Sequence, residues 1–324
     1  MECRKRARCA VVLTYKMSGV DVAAGDELVR RIQGFAPAIG GFSGFFPIDE
    51  DRFLVASTDG VGTKLELALQ MEKFDTVGID LVAMVVNDIV TCGARPLFFL
   101  DYFATGKLDV DQAEKVLRGI VAGCEEAGCQ LLGGETAEMP GFYPAGKFDL
   151  AGFGVGVVKK AEALTGQAVK AGDVLLGIPS SGPHSNGFSL IRKVLKVADL
   201  ALDRPFGSQT LGEALLMPTR IYVNEVMSLL GRFEVHALAH ITGGGFENVK
   251  RVIPDGLDAR IDFGSWAVPP IFGFLQSEGN IPDEDMRRTF NLGVGMVLVV
   301  PAGTAERIRA ERGDLAVLGE VVAP

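Results

Sequence analysis

The sequence predicts a two-domain α/β (α+β) protein, and three observations carry this prediction. The 324 residues suffice for two domains, each with its own hydrophobic core. Short β-branched apolar runs alternate with longer amphipathic stretches, which is typical of sheets flanked by helices. The polar stretch 159–172 separates two such series. We therefore expect an N-terminal domain over 14–165 and a C-terminal domain over 170–324.

The N-terminal series contains helices, strands and one unusual loop. The helix predicted at 76–91 has a clear end, because Gly93 can adopt the left-handed cap and Pro96 prevents continuation. The other predicted elements are helices at 20–33 and 110–127, a glycine- and phenylalanine-rich loop at 39–47, a strand that begins at 54, and strands at 97–104, 130–132 and 149–158.

The C-terminal series has the same mixed character. Its predicted strands lie at 174–179, 235–241, 257–263, 296–300 and 316–322. Its predicted helices lie at 188–197, 219–230, 246–252, 270–276, 283–288 and 304–312.

Composition excludes several classes of protein. Hydrophobic residues make up 48% and charged residues 23%, which indicates a globular chain. The net charge of −9 argues against nucleic acid as a partner. Five cysteines without a C-x-x-C pair predict reduced thiols and a cytoplasmic location. No run reaches membrane-spanning length. We expect residues 1–13 to form a disordered N-terminal extension.

Residues 54–64 contain the residue types that a metal-bound phosphate needs. A short apolar run predicts a buried strand, and it ends in a turn that holds Asp59, two glycines, Thr63 and Lys64. A carboxylate can hold Mg²⁺, glycine backbone can approach phosphate oxygens, and an ammonium adds positive charge. The alternative is a strand followed by a glycine turn with a solvated Asp and Lys. The spacing is not that of a Walker A loop.

The helix predicted at 76–91 carries polar side chains along one edge. Asp80 and Asn87 are seven residues apart and point nearly the same way, and Asp88 lies on the flank of that edge. The rest of the helix is apolar, and buried unpaired charge is costly. We interpret this edge as the lining of a metal or nucleotide site; a solvent-facing stripe is the alternative.

Glu135 is a third candidate carboxylate. It follows a short strand and two glycines, where open α/β sheets commonly bind ligands, although a polar turn residue is the alternative. His236 and His240 are interpreted as packing or hydrogen-bonded histidines and not as metal ligands, because no acidic or Cys partner is spaced for zinc.

The segment 180–187 joins a strand to a helix. A helix N-terminus offers free N–H groups and a positive dipole end to a phosphate. His184 within this loop could transfer protons near neutral pH. The alternative is that Ser185 or Asn186 merely caps the helix.

The longer segments resemble the phosphoribosylformylglycinamidine cyclo-ligases, also called aminoimidazole ribonucleotide synthetases. Asp88-x-x-x-x-Gly93-Ala94-x-Pro96 is similar to the D-x₄-G-A-x-P signature of the wider ATP-binding cyclo-ligase superfamily. The other matching segments lie at 15–16, 18–21, 57–64, 76–96, 98–110, 133–141, 151–158, 180–189, 218–222, 242–246 and 288–296.

The resemblance implies a fold and an activity. The N-terminal sheets of two subunits would join into a barrel across a homodimer, with the active site in the cleft beside the C-terminal domain. The activity would be ATP-dependent ring closure of formylglycinamidine ribonucleotide to 5-aminoimidazole ribonucleotide in de novo purine biosynthesis. ADP and phosphate would be released, an iminophosphate would be the intermediate, and ATP and Mg²⁺ would be required.

The resemblance also implies roles for residues of this sequence. It implies metal contacts for Asp59, Asp88 and Glu135. The ATP or phosphate contacts would be Gly40, Gly41, Gly44, Thr63, Lys64, Asn87 and Lys16. The substrate contacts would be Asp21, Ser181, His184, Asn186 and Asn291. The catalytic candidates are His184, Asp88 and Lys64, with His184 as the proton-transfer group.

Two alternatives stay open: another ATP-using member of the same superfamily and a noncatalytic nucleotide-binding scaffold. A selenophosphate synthetase needs a Cys or selenocysteine near the glycine-rich loop, and neither Cys3 nor Cys9 is so placed. A scaffold without chemistry is disfavoured because five candidate residues are all present: Asp59, Lys64, Asp88, Glu135 and His184.

Overall fold

The computed structural model of the chain describes residues 12–36, 39 and 41–323. Its helices are α1 (Val22–Gln33), α2 (Leu65–Gln70), α3 (Val77–Thr91), α4 (Val110–Ala127), α5 (Phe188–Val197), α6 (Leu211–Leu216), α7 (Val223–Leu230), α8 (Glu247–Lys250), α9 (Pro270–Gly279), α10 (Asp283–Thr289) and α11 (Ala302–Glu311). Its strands are β1 (Gly44–Pro47), β2 (Arg52–Gly60), β3 (Arg95–Thr105), β4 (Gln130–Glu138), β5 (Phe148–Lys159), β6 (Val174–Pro179), β7 (Pro205–Phe206), β8 (Gln209–Thr210), β9 (Ala237–His240), β10 (Asp258–Ile261), β11 (Val294–Val300) and β12 (Ala316–Val322). Within the described part of the chain, no helix has the length and apolar composition that a membrane crossing requires.

The first half forms a five-stranded sheet with strand order β1-β2-β5-β3-β4. The β3–β4 pair is parallel, and the other three pairs are antiparallel. α3 packs across β2, β5 and β3, and α4 lies beside it over β3 and β4. Glycines in β5 let α3 come close, since a Cβ on Gly154 would lie 2.8 Å from a methyl group of Val85. The sheet therefore has one face covered by helices.

The second half forms another five-stranded sheet, with strand order β10-β12-β6-β11-β9. All four of its strand pairs are antiparallel. Every residue of β11 is buried, which explains its unbroken apolar sequence. The segment between β5 and β6, which the sequence predicts as a domain boundary, separates the two sheets in the chain.

α3 joins the two halves, because it also contacts β9 and α7 of the second half. The first described residues also contact the second half. The Leu13 amide donates to the Gly279 carbonyl at 3.3 Å, and the Tyr15 amide donates to the Asp285 carboxylate at 3.4 Å. Leu13 is buried. The predicted disorder over 1–13 is therefore wrong at residue 13, and residues 1–11 lie outside the described residues.

The sequence patterns do not predict β1, α2, α6, the β7–β8 hairpin or the full length of β4. β1 forms because Gly44–Pro47 pairs with β2. α6 begins at a capping box between Thr210 and Glu213. β4 continues to Glu138 because it pairs in parallel with β3 as far as Thr105.

Candidate functional site

Asp59, Asp88 and His240 form a cluster where the two halves meet. Asp59 lies near the end of β2, Asp88 lies on α3, and His240 ends β9. The His240 Nδ1 atom is 2.8 Å from Asp88 Oδ1. Because an ionised carboxylate only accepts hydrogen bonds, this contact places the imidazole proton on Nδ1. The ring thereby fixes the orientation of the Asp88 carboxylate.

The Asp59 carboxylate lies in an environment that disfavours its charge. Its pKa is raised to about 6: burial is the largest cause and the negative charge of Asp88 adds to it, while the Gly60 amide and His240 act in the opposite direction. The Gly60 amide donates to Asp59 Oδ1 at 2.7 Å. A perturbed carboxylate beside a second carboxylate is typical of a functional site, and a bound cation would restore the charged form.

His240 is a hydrogen-bonded histidine, one of the two possibilities that the sequence predicts, but the sequence does not identify its partner. Asp88 is 152 positions away in the chain, and only the packing of α3 on β9 brings the two side chains together. The local signal is weak: His240 ends a strand two residues before the sequence Thr242-Gly-Gly-Gly245.

The structure does not bring Glu135 to this cluster. Because β4 extends past residue 132, Glu135 lies within the strand and aligns with Tyr102, whereas Gly134 aligns with Asp101 in the row that contains Asp59. A shift of one residue along a strand places a side chain on the opposite face of the sheet. The predicted metal set of Asp59, Asp88 and Glu135 is therefore not assembled in one subunit. Across residues 12–36, 39 and 41–323, no group of three or more His, Cys, Asp or Glu could hold a metal.

Lys64 does not face a ligand site, although the sequence predicts it as a phosphate contact. Its side chain is fully buried, and Nζ is 2.9 Å from Asp80 and 2.8 Å from the carbonyl oxygens of both His184 and Met217. An ammonium has three donors, so all three are used within the protein. The predicted phosphate contact of Lys64 is not supported by this geometry.

The Asp80–Asn87 edge of α3 binds protein rather than solvent. Asp80 accepts hydrogen bonds from the Thr219 amide and hydroxyl at 2.8 and 2.6 Å. Asn87 donates to the Arg220 carbonyl and accepts from the Tyr222 amide, both at 2.9 Å. The prediction that this edge lines a ligand site is wrong for Asp80 and Asn87, because both side chains are buried against the segment 219–222. Asp88, one residue beyond Asn87, is the exception.

His184 is also buried, with φ of +61°. Its Nε2 atom accepts from the Ser181 amide at 3.3 Å, and its ring lies beside Tyr222. Burial is the largest cause that lowers its pKa well below 6.5, and the neighbouring His240, Lys64 and Arg220 act in the same direction. His184 is thus neutral near pH 7 and has no exposed surface. Its position does not support the predicted proton transfer to a substrate.

The other predicted substrate residues are partly engaged within the protein. Ser181 is exposed, and its hydroxyl donates to the Pro218 carbonyl at 2.6 Å. Asn186 is half-buried, and its Oδ1 atom would lie 3.4 Å from a Cβ placed on Gly243. Asn291 is buried and braces the loop, since Nδ2 donates to the Gly182 carbonyl at 2.9 Å. Asn186, whose Nδ2 atom lies 3.8 Å from Met84 Sδ, is the member of this set whose side chain has no hydrogen bond to a backbone atom among the described residues.

A cavity of about 550 Å³ lies under the glycine-rich segment. Gly41 and Gly44 line it together with Ser57 and Thr58 of β2, and Arg251 lines it from the second half. Ser57 is two residues before Asp59 and lies on the same face of β2, so one lining residue of the cavity and one member of the carboxylate cluster share this face. The remaining residue of the predicted glycine set, Gly40, lies outside the described residues.

The predicted contacts nearer the N-terminus are exposed. Lys16 Nζ pairs with Asp21 at 2.9 Å, and Asp21 caps α1 by accepting from the Ala24 amide at 3.3 Å. Thr63 is exposed, and its hydroxyl is 3.1 Å from that of Ser189. Among the described residues, none of these three side chains forms a hydrogen bond with a member of the carboxylate cluster.

The donor chemistry of the cluster fits Mg²⁺ bound to a nucleotide. Mg²⁺ in phosphate-transferring sites is usually held by one or two carboxylates, with phosphate oxygens and waters completing the octahedron. Asp59 and Asp88 supply two carboxylates from neighbouring elements, and the cavity supplies room beside them.

Comparison with known proteins identifies the family. The family model described as "AIR synthase related protein, N-terminal domain" matches residues 40–158, and the model of the corresponding C-terminal domain matches residues 170–324. The chain is 59% identical over 317 residues to the chloroplastic phosphoribosylformylglycinamidine cyclo-ligase of Arabidopsis thaliana, covering 96% of this chain and 81% of the relative. It is 51% identical over 323 residues to the phosphoribosylformylglycinamidine cyclo-ligase of Methylobacillus flagellatus, covering 96% and 92%.

The chain belongs to the phosphoribosylformylglycinamidine cyclo-ligase family. Members of this family are ligases, and the chain is an enzyme of that class.

Solved structures share the fold of this cyclo-ligase at low sequence identity. AaThiL, solved in a complex with AMPPCP and TMP, is 14% identical and has a TM-score of 0.67, with 94% of this chain and 91% of that chain covered. The hydrogenase maturation protein HypE of E. coli is 19% identical with a TM-score of 0.62, and 92% of each chain is covered. At these identities the likeness establishes the two-domain α/β fold alone, as the sequence predicts.

Proposed function

We propose that this protein catalyses ATP-dependent ring closure of formylglycinamidine ribonucleotide to 5-aminoimidazole ribonucleotide, with release of ADP and phosphate. The observation that carries the proposal is the Asp59–Asp88–His240 cluster beside the glycine-lined cavity, in a chain of the cyclo-ligase family. The cluster supplies carboxylates for a metal-bound triphosphate. The cavity supplies room and open backbone for a nucleotide.

The chemistry explains why ATP is needed. The formyl amide oxygen of the substrate is a poor leaving group. Transfer of the γ-phosphoryl group of ATP to this oxygen gives an iminophosphate and ADP. A substrate nitrogen then attacks the same carbon, the new C–N bond closes the ring, and the C–O bond breaks to release phosphate. The enzyme therefore has to orient two anionic ligands and stabilise charge on the transferred group.

We assign the following tasks to this chain's residues. Asp59 and Asp88 would hold Mg²⁺, which neutralises charge on the ATP phosphates when it is bound. His240 positions the Asp88 carboxylate through Nδ1. Gly41 and Gly44 would let the backbone approach ATP.

The remaining proposed ligand contacts come from segments around the cleft. Asn186 faces the substrate side of the cleft, and Ser181 lies at its exposed margin. Lys16 and Asp21 are exposed and become ligand contacts in this proposal when the N-terminal segment moves towards the bound ligands. Thr63 is exposed on the 3₁₀ turn at Gly62–Lys64, which the buried Lys64 holds in place, and would contact a ligand from there.

We further propose that the enzyme is a homodimer in which the open face of the first sheet is covered by a second copy. Phe46, Tyr102 and Phe153 are 65%, 42% and 41% exposed, and by strand alternation all three point away from α3. Large exposed aromatic side chains on one sheet face are typical of an interface. A barrel formed by two such sheets would bury them.

The proposed location is a compartment that keeps thiols reduced, such as the cytoplasm. Cys92, Cys124 and Cys129 are all free thiols. The relative from Arabidopsis thaliana is named as chloroplastic, so the test is fractionation of the source cells with antibody detection of this chain.

The test of the activity is direct. The purified protein is incubated with formylglycinamidine ribonucleotide, ATP and Mg²⁺, and aminoimidazole ribonucleotide, ADP and phosphate are quantified. We expect the three products in equal amounts and no reaction without Mg²⁺. A noncatalytic scaffold would bind ATP without forming any product. Another ATP-using enzyme of the superfamily would release ADP only with a different acceptor.

A further inference from the structure

Lys64 is the centre of a buried hydrogen-bonding hub between the two halves. The Lys64 and Asp80 side chains are both fully buried, and Nζ lies 2.9 Å from the Asp80 carboxylate. The other two Nζ donors reach the carbonyl oxygens of His184 and Met217, each at 2.8 Å. Asp80 in turn holds Thr219 through two further hydrogen bonds. One ammonium thus joins α3, the 180–187 loop and the segment before α7.

Stability alone does not explain this arrangement. Removing two charges from water costs more than their mutual attraction commonly returns, and an apolar pair of similar volume is often at least as stable. The hub does supply directional contacts that an apolar pair lacks. Two of its three hydrogen bonds end on backbone carbonyl oxygens, so it specifies where these two chain segments lie.

The loop held by the hub has a strained backbone. His184 has φ of +61°, in the left-handed region that a residue with a Cβ rarely adopts, and such conformations persist only when surrounding contacts enforce them. Lys64 contacts the carbonyl of this same residue. A second contact ties the loop to the turn that precedes Lys64, since the Ser185 hydroxyl donates to the Val61 carbonyl at 2.7 Å. Asn186, half-buried and with Nδ2 3.8 Å from Met84 Sδ, follows directly.

We propose that Lys64 is a positioning residue: its ammonium, oriented by Asp80, sets the 184–187 loop so that Asn186 and the α5 N-terminus face the reacting substrate. This inference rests on the proposed cyclo-ligase activity. The sequence predicts Lys64 as a phosphate contact, whereas this proposal has Lys64 act indirectly, through the position of the loop. A misplacement of ~1 Å in such a loop can lower the rate by about 100-fold.

The test compares three variants of the full chain. Lys64→Met leaves the Asp80 charge buried and unpaired, so this variant should melt at a much lower temperature. The double variant Lys64→Met/Asp80→Asn removes both charges and keeps an acceptor for Thr219, so its melting temperature should return close to that of the wild type. Ile120→Ala, on α4 and away from the loop, is the control for a loss of stability alone.

We expect the double variant to lose about 100-fold in kcat while its KM for ATP changes by less than about threefold. Hydrogen exchange of the amides at 184–187, measured without any ligand, should be faster in the double variant and unchanged in Ile120→Ala. A double variant with wild-type exchange at 184–187 and wild-type kcat would overturn the proposal, as would a loss of kcat no larger than that of Ile120→Ala. The exchange measurement needs no substrate, so its outcome stands even if the wild-type enzyme fails to close the ring.

Discussion

Asp59→Asn should make the protein more stable and at the same time inactive. Burial raises the pKa of Asp59 from an ordinary value of 3.8 to about 6. A difference of about 2 in pKa corresponds to about 3 kcal/mol. Because the folded-state pKa is the higher one, the ionised carboxylate opposes folding, and this cost is fully present only above pH 6. Asparagine has the same shape and carries no charge, so it removes the cost.

The pH dependence of this effect has a definite sign. Below pH 4 the carboxyl group is protonated in both the folded and the unfolded chain, so wild type and variant should be equally stable. Between pH 4 and 6 the folded protein binds more protons than the unfolded chain, and the wild type loses stability as the pH rises. The advantage of Asp59→Asn should therefore be about 3 kcal/mol at pH 7.5 and about half of that at pH 5.

Thermal unfolding of ligand-free wild type and variant at pH 5 and pH 7.5 measures this difference. Asp51→Asn, on an exposed turn, is the matched control and should change nothing. Mg²⁺ with ATP should then raise the melting temperature of the wild type but not of Asp59→Asn, and turnover should be lost in the variant. If the stability advantage of Asp59→Asn over the wild type is no larger at pH 7.5 than at pH 5, the burial argument is refuted. Unchanged turnover would refute the metal role.

Two further predictions concern packing. Gly78→Ala should destabilise the first half by about 1–3 kcal/mol or more, because the added Cβ would lie 2.3 Å from the Val116 carbonyl oxygen and would push α4 away from α3. The control is Gly25→Ala on α1, where an added Cβ meets nothing within 4 Å, and it should not lower the melting temperature. Phe153→Asp should convert the proposed dimer to monomers in sedimentation velocity. Val197→Asp, at a similarly exposed position on α5, should leave the mass unchanged. If the dimer survives Phe153→Asp, the interface lies elsewhere.

Local sequence patterns predict most helices and strands of this fold because their signals are local. α4 begins and ends at the predicted residues, since Asp109 accepts from the Gln112 amide as N-cap and Gly128 takes φ of +68° as C-cap. The same applies to β6, α5 and β12, whose bounds match the prediction. Where a strand depends on its partner the prediction fails, as in β4, which continues through two glycines because β3 pairs with it.

The candidate site is less predictable because its residues depend on tertiary contacts. The sequence predicts Asp59, Asp88 and Glu135 as one metal set, and the structure brings Asp59 and Asp88 together but not Glu135. Lys64 and His184 are polar residues in glycine-rich loops, which look solvent-facing in sequence but are buried by the second half. The sequence predicts a packing or hydrogen-bonded histidine at 240, and only the packing of α3 on β9 identifies Asp88 as its partner.

The most direct test of the proposed chemistry follows one oxygen atom. The substrate formylglycinamidine ribonucleotide is prepared with ¹⁸O in its formyl amide group and converted with unlabelled ATP in ordinary water. If the amide oxygen is phosphorylated and then expelled on ring closure, the released phosphate carries the ¹⁸O in an amount equal to the aminoimidazole ribonucleotide formed. Product formed with unlabelled phosphate would contradict the account, because ATP would then be hydrolysed by water and the oxygen would leave by another route.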